Sequence, residues 1–224
     1  MAASAVAVVL ALATAALASD GAWSSAPGAA SPVVTITKLP MAAKWQDVPG
    51  DEKRFQGAGG ERYRGMTKWF FHCRPRLKCD LVSARESGGN ETQVTVSVRS
   101  VGMELSLDVD SACGKRKHTQ EHEKGHVEIC RRIYDQRAES AAKKACQAVI
   151  GKKFTGKGGD RQAAIGAAKK QAAQQICAQY RAATADVAEA VSRAYDEITK
   201  HARNQVSAED GIKEAFGRVV VEPI

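Results

Sequence analysis

The feature that most constrains the fold is a change in hydrophobic period near residue 110. Upstream, "TQVTVSV" at 92–98 and "MELSLDV" at 103–109 place an apolar side chain at every second residue. A period of two with β-branched residues is typical of half-buried, antiparallel strands. From Thr119 to Ile150 the chain has no proline and a single glycine, Gly125. Because proline and glycine are the strongest helix breakers, this second stretch favours a long helix.

A second helical stretch follows the segment "GKKFTGKGG" at 151–159, whose glycines break the first helix. Apolar residues then recur at spacings of three and four, which is the pattern of one helical face: Ile176, Tyr180, Ala183, Val187, Ala190, Ala194 and Ile198. We therefore predict an α+β fold in which a small N-terminal antiparallel β-sheet is followed by a long two-helix hairpin. Residues 32–224 would form a single domain, β-rich over 32–112 and helical over 113–224.

The N-terminal residues resemble an export signal. No charged side chain occurs from Met1 to Ser19, and the apolar run ends in the small-x-small sequence Ala16-Leu17-Ala18. We expect residues 1–18 to be a signal peptide, residues 19–31 to be a flexible leader, and the protein to be secreted or periplasmic. Because no Lys or Arg precedes the apolar run, a retained membrane anchor is the alternative.

Six cysteines occur in the chain, and an even number in an exported protein indicates disulfide bonds. The sequence does not fix their pairing. Cys73 and Cys79 are close enough in sequence for a local bridge across a turn. Cys130 or Cys146 could instead pair with Cys177 between the two long helices, and buried free thiols are the alternative for all of them, Cys113 included.

The net charge of +8 raises the question of an acidic partner. The Lys and Arg residues are scattered, however, and no nucleic-acid-binding motif accompanies them. We expect a solvated basic surface, with no nucleic-acid partner and no membrane contact beyond the export signal. The sequence does not indicate an oligomeric state.

The segment "HEKGH" within the first helical stretch has the spacing of a zinc site. His122 and His126 are four residues apart, so both imidazoles lie on one helical face and can bind one ion. Glu123 lies about 100° further round the helix, where it can act as a general base without being a ligand. The alternative is a charged helix that carries two histidines.

A third ligand is needed for a catalytic zinc site. His201 is the preferred candidate because it continues the apolar stripe through Ala194 and Ile198, and a buried imidazole needs a partner. Glu189 and Glu197 on the same helical stretch are alternatives. A core histidine bonded to a backbone carbonyl would also explain His201.

Two motifs together resemble a known family. "HEKGHVEI" followed by "YDEITKHARNQ" is similar to a bacterial family of uncharacterised secreted proteins predicted to be zinc-dependent proteases, over about residues 119–206. Ala202 departs from the family, which often has Gly there. The matching positions are His122, Glu123, Gly125, His126, Tyr195, Asp196, Thr199, His201 and Gln205. The resemblance implies a zincin-like metallopeptidase domain.

The resemblance also suggests roles for two further residues. Asp196 would hold a ligating imidazole in place, and Tyr195 would donate a hydrogen bond to the oxyanion of the reaction. Their alternatives are a surface carboxylate and an aromatic ring at the edge of a helix.

Together these features predict an exported zinc metallohydrolase, most simply a peptidase, in which His122, His126 and His201 bind Zn²⁺ and Glu123 is the general base. Its substrate would be a protein or peptide, cell-wall peptides included. The alternatives are a zinc-binding envelope protein or interaction module without catalysis, and a helical-hairpin protein without a metal.

Overall fold

The computed structural model describes residues 33–48, 55–56, 62–87 and 91–219. All of them belong to one compact unit that spans Pro32–Ile224. The predicted signal peptide and leader lie outside the described residues.

The described chain contains seven strands and four helices. Their bounds are β1 Val33–Lys38, β2 Ala42–Asp47, β3 Phe55–Gln56, β4 Arg62–Tyr63, β5 Gly65–Ser87, β6 Glu91–Cys113, α1 Lys117–Gln147, β7 Lys153–Gly158, α2 Arg161–Ala183, α3 Ala185–Thr199 and α4 Ala208–Arg218. No helix in the described part of the chain is both long enough and apolar enough to cross a membrane.

Strand β6 is the centre of a five-stranded sheet. It pairs antiparallel with β5 along one edge, and along its other edge with β7, β1 and β2 in turn. The β7 pairing is antiparallel, whereas β1 and β2 run parallel to β6. The alternation in β6 directs one face into the core, where Val94, Val96, Leu105, Leu107 and Val109 are buried.

The prediction of a small N-terminal antiparallel sheet followed by a two-helix hairpin is wrong. The structure is an α/β fold with a mixed sheet, because two strands pair in parallel with β6 and a further strand, β7, joins the sheet after α1. Hydrophobic alternation identifies a strand, but it is the same for parallel and antiparallel partners, so it did not reveal the pairing direction.

The helical part also differs from the prediction. The stretch from 160 to 202 is two helices, because the buried Thr184 leaves the helical conformation with φ −129° and ψ −76°. The glycine-rich segment 151–159 contains β7, where Gly156 lets α2 pack closely: a side chain there would collide with the backbone of Ala164 and Ala168.

Helix α1 packs on the buried face of the sheet. Ile129, Ile133 and Tyr134 of α1 belong to the same core cluster as the inward-facing residues of the second half of β6, such as Leu105, Leu107 and Val109. The buried Tyr134 hydroxyl donates to the backbone oxygens of Leu39 and Leu105, at 2.7 and 3.1 Å. These bonds fix the middle of α1 against β6 and against Leu39, the residue that follows β1.

One disulfide joins the sheet to the helices. Cys73 in β5 bonds to Cys177 in α2, with the two Cα atoms 5.7 Å apart and a sequence separation of 104. A Cys73–Cys79 bridge is wrong because both residues lie in β5, where six residues extend about 20 Å. The pairings of Cys177 with Cys130 or Cys146 are also wrong, because Cys177 is bonded to Cys73.

The other four cysteines are free thiols: Cys79, Cys113, Cys130 and Cys146. Burial raises the pKa of Cys130 to about 12 and that of Cys146 to about 11. Both therefore stay protonated at neutral pH, and neither is suited to bind a metal or to act as a nucleophile.

We expect the Cys73→Ser/Cys177→Ser double variant to lose about 2–5 kcal/mol of unfolding free energy, because the bridge closes a long loop in the unfolded chain. Urea denaturation measures this change. Cys79→Ser, which removes a free thiol on the same strand, is the control and should cost less than about 1 kcal/mol. Peptide mapping without reduction that finds Cys73 as a free thiol would contradict the assignment.

Candidate metal centre

Helix α1 presents the two histidines of the HEKGH segment on one face. Their rings lie edge to face, with centroids 4.9 Å apart, and the Nε2 atoms are 3.3 Å from each other. Both side chains are nearly buried, each residue being 7% exposed. Two buried Nε2 atoms this close are directed at one common point.

Helix α3 brings a carboxylate to the same point. Oδ1 of Asp196 lies 3.0 Å from Nε2 of His122 and 3.2 Å from Nε2 of His126. Asp196 was predicted to hold a ligating imidazole in place. In the structure its Oδ1 is close enough to the imidazole nitrogens to be a ligand itself.

His201 reaches the site from a turn and not from a helical face. Helix α3 ends at Thr199, and the next three residues, Lys200, His201 and Ala202, have φ values of 49°, 51° and 62°. This left-handed turn brings Nδ1 of His201 to 3.2 Å from Oδ1 of Asp196. The argument that His201 continues a helical stripe was therefore wrong, although the residue does lie in the site.

Four of the six distances between these ligand atoms are close to those expected around a tetrahedral ion. Zinc–ligand distances of about 2.0–2.1 Å imply ligand–ligand separations of roughly 3.3 Å. The four measured contacts around Asp196, His122, His126 and His201 lie between 3.0 and 3.3 Å. The ligand atoms of His122, Asp196 and His201 all lie within 4.8 Å of one another, so the structure contains a candidate metal-binding group.

The charges of the site favour a cation. Burial alone would raise the pKa of Asp196, but the hydrogen bonds from His122 and His126 outweigh burial and hold that pKa well below its usual range. Burial would likewise lower the pKa of His126, but Asp196, Glu123 and Glu189 together raise it. Asp196 is thus an anion at neutral pH, and a cation at this point would compensate its charge.

Glu123 points away from Asp196 and towards the start of β5. Its Oε2 accepts a hydrogen bond of 2.7 Å from Thr67, whose oxygen is in turn 3.0 Å from Oγ of the buried Ser111. A side chain at Gly65 would collide with this carboxylate. Strands β5 and β6 therefore hold Glu123 in one orientation beside the histidines.

Tyr195 lies behind the histidines. Its ring stacks on His122 with centroids 5.0 Å apart and meets His126 edge-on at 5.2 Å. Burial raises the pKa of Tyr195 well above its ordinary value, so the phenol stays neutral. A side chain at Gly125 would collide with the Tyr195 hydroxyl, which explains the glycine of the HEKGH segment.

A cavity of about 350 Å³ opens beside the candidate ligands. Its described lining contains His122, His126, Asp196 and His201 together with Glu123, Thr67, Trp69, Glu189 and Arg203. Tyr195 is not part of this lining, so its predicted oxyanion contact has no geometric support here. Glu189 lies at the cavity, whereas Glu197 does not line it.

Several residues of the site carried no clear signal in the sequence. Thr67, Ser111 and Gly65 orient Glu123, but they lie far from it in sequence, on strands for which the sequence analysis assigned no partners. Thr199 was noted only as a motif position. Its Oγ1 lies 3.2 Å from Nδ1 of His122.

Comparison of the chain with protein-family models, with curated proteins and with solved structures found no match. The case for a function therefore rests on the side chains described above.

We expect Gly125→Ala to destabilise the protein by about 1–3 kcal/mol, because the added methyl group collides with the Tyr195 hydroxyl. A Gly→Ala change within a helix ordinarily stabilises by about 1 kcal/mol, so the sign is diagnostic. Gly166→Ala in α2, where nothing lies near the added carbon, is the control and should stabilise. Thermal unfolding that shows both variants stabilised would contradict this packing.

We expect Ala202→Gly to stabilise the protein by about 1 kcal/mol, because Ala202 has a φ of 62°, where any Cβ is strained. Ala178→Gly in the middle of α2 is the matched change and should cost about 1 kcal/mol. Chemical denaturation compares the two. Equal destabilisation by both variants would show that the left-handed turn after α3 is not present.

Proposed function

We propose that this protein is a zinc-dependent hydrolase, most specifically a peptidase. The observation that carries the proposal is the convergence of three imidazole nitrogens and one carboxylate oxygen beside a separate, oriented carboxylate, Glu123, in a single open cavity. Imidazole nitrogens together with a carboxylate oxygen are a donor set that suits zinc.

His122, His126, His201 and Asp196 would hold the ion, the last through Oδ1. The three histidines all lie within contact distance of Asp196, so this carboxylate links α1, α3 and the turn after α3. When bound, zinc makes water acidic enough to ionise near neutral pH and polarises a carbonyl. The histidines must lose their protons before they can bind it, so affinity should fall with falling pH.

Glu123 would serve as the general base. Thr67 occupies Oε2 and Oε1 lies against Gly65, so the carboxylate is held where it would take a proton from water and deliver it to the leaving amine. Because Thr67 and Ser111 form a chain of hydrogen bonds behind the carboxylate, the base keeps its orientation without contacting Asp196. A base that is fixed beside the ligands and is not itself a ligand is the arrangement that metal-assisted hydrolysis needs.

The cavity supports a peptide or protein substrate, cell-wall peptides included. Its volume of about 350 Å³ is in the range of small-molecule sites, and it is open to solvent. Trp69 supplies an apolar wall, while Arg203 and Glu189 provide charges of both signs. A short segment of polypeptide offers apolar side chains for Trp69 and polar or charged groups for Arg203 and Glu189.

We also propose that the protein acts outside the cytoplasm. The Cys73–Cys177 disulfide supports this, because disulfides persist in oxidising compartments. The resemblance of "HEKGH" and "YDEITKHARNQ" to a secreted bacterial family points in the same direction.

One observation favours a second candidate, a zinc-binding protein of the envelope without catalysis. Counting Asp196, the chain itself supplies four ligand atoms, and structural zinc sites are closed by four protein ligands. Catalytic sites retain a position for water, either with three ligands or by expansion to five. The two candidates differ in what Glu123 does.

We expect Glu123→Gln to lower peptide hydrolysis about 10²–10⁴-fold and to leave the zinc content unchanged, because it removes the base and no ligand. Glu121→Gln is the matched control, since Glu121 is exposed on the same helix and pairs with Lys117. A quenched fluorescent peptide library and cell-wall stem peptides are the substrates, and zinc is counted by elemental mass spectrometry.

Three outcomes separate the possibilities. Loss of hydrolysis with retained zinc supports the peptidase. A wild-type protein that holds zinc but cleaves none of these substrates supports the non-catalytic candidate. A folded wild-type protein that takes up no added zinc contradicts both.

A further inference from the structure

We propose that Thr199 is a positioning residue that fixes the tautomer of His122, so that the lone pair of Nε2 faces the metal site. This inference rests on the proposed zinc site. It deepens that proposal by assigning a task to a residue that contacts neither substrate nor ion.

The first step concerns the single proton of the Thr199 hydroxyl. Thr199 is the last residue of α3 and is 3% exposed. Its Oγ1 lies 2.7 Å from the backbone oxygen of Tyr195, one turn earlier. A carbonyl oxygen only accepts, so the hydroxyl proton is donated in this bond.

The second step follows for His122. Its Nδ1 lies 3.2 Å from the same Oγ1. Because the hydroxyl has already used its proton, Oγ1 can only accept here, and Nδ1 of His122 must be the donor. A neutral imidazole has one N–H, so with the proton on Nδ1 the other nitrogen, Nε2, carries a lone pair.

The third step is that Nε2 is the nitrogen that faces the candidate ligands. It lies 3.0 Å from Oδ1 of Asp196 and 3.3 Å from Nε2 of His126. The lone pair and Oδ1 of Asp196 therefore face each other across the position that an ion would take, and Thr199 keeps the lone pair on that side of the ring.

Contacts on two sides hold the ring of His122 in this orientation. It stacks on Tyr195 at an interplanar angle of 15°, and Thr199 holds its far edge. His126 differs, because its buried Nδ1 has no hydrogen-bond partner among the described residues. Of the two helix ligands, His122 is therefore the one whose tautomer is set by the protein.

The chain contains a matched control for Thr199. Thr184 is buried at the end of α2, and its Oγ1 also donates to the carbonyl four residues earlier, Tyr180, at 2.7 Å. It lies outside the cavity lining. Replacing either threonine by valine removes the same backbone bond and keeps the shape, but only Thr199→Val removes an acceptor from a histidine.

The experiment measures zinc affinity by chelator competition for the wild type, Thr199→Val, Thr199→Ser and Thr184→Val. Loss of an outer partner of a ligating histidine typically weakens metal binding about 10–100-fold, and we expect that loss in Thr199→Val. Thr199→Ser keeps the hydroxyl and should restore affinity to within about threefold, which a packing effect would not explain. Thr184→Val should bind zinc like the wild type.

A spectroscopic readout accompanies the affinity. In the zinc-loaded wild type, the Nδ1 proton of His122 should give a slowly exchanging signal in ¹⁵N-edited NMR, and in Thr199→Val this signal should broaden by exchange with water. If Thr199→Val does not fold, Thr199→Ala and the wild-type signal provide the same test.

The inference is overturned if Thr199→Val binds zinc as tightly as Thr184→Val, or if Nδ1 of His122 carries no proton in the zinc-loaded wild type. Failure of the proposed function is a different result, namely a folded wild type that binds no zinc. In that case both proposals fall together.

Discussion

The contact on which the site depends is the convergence of three imidazole nitrogens on one oxygen, Oδ1 of Asp196. His122 and His126 approach it from α1, and His201 approaches from the turn after α3, all at 3.0–3.2 Å. An anionic carboxylate that is largely removed from water must be compensated by positive charge. A cation at this point would supply that charge, and the remaining architecture keeps the four side chains in position.

The sheet and the helix packing supply that positioning. Tyr134 of α1 donates hydrogen bonds to the backbone of β6 and of the residue that follows β1, and these bonds fix the position of α1, which carries the HEKGH segment, on the sheet. Tyr195 fills the space between α1 and α3, and Gly125 allows its ring to approach. Thr67 and Ser111 of the sheet then orient Glu123 from the opposite side. These contacts keep the carboxylate of Asp196, beside the histidines, apart from the carboxylate of Glu123, which the sheet holds.

The part of the site that could be predicted from sequence is the part that a single helix determines. His122, Glu123 and His126 lie where the geometry of an α-helix places residues four and one apart. His201 was predicted by an incorrect argument. Its position depends on a left-handed turn of non-glycine residues, which local propensity disfavours, so the helical pattern gave no sign of it and only the similarity to the family motif indicated His201.

The rest of the fold could not be predicted because it depends on long-range pairing. The alternating residues of β1 and β6 predicted two strands but not that the strands run parallel. The disulfide partner of Cys73 lies 104 positions further along the chain, where no local pattern indicates it. Thr184, which ends α2, is a residue with no strong helix-breaking tendency, so the long apolar stripe gave no sign of a break. Asp196 was expected to support one imidazole, and only the tertiary structure brings three to it.

The most direct test of the central claim is zinc K-edge X-ray absorption on the purified protein loaded with one equivalent of zinc. We expect the zinc to have nitrogen and oxygen neighbours at about 2.0–2.1 Å, with the multiple scattering of at least two imidazoles. A neighbour shell of sulfur at about 2.3 Å would place the metal at the cysteines. That result, or a protein that retains no zinc, would contradict a metal centre built around Asp196.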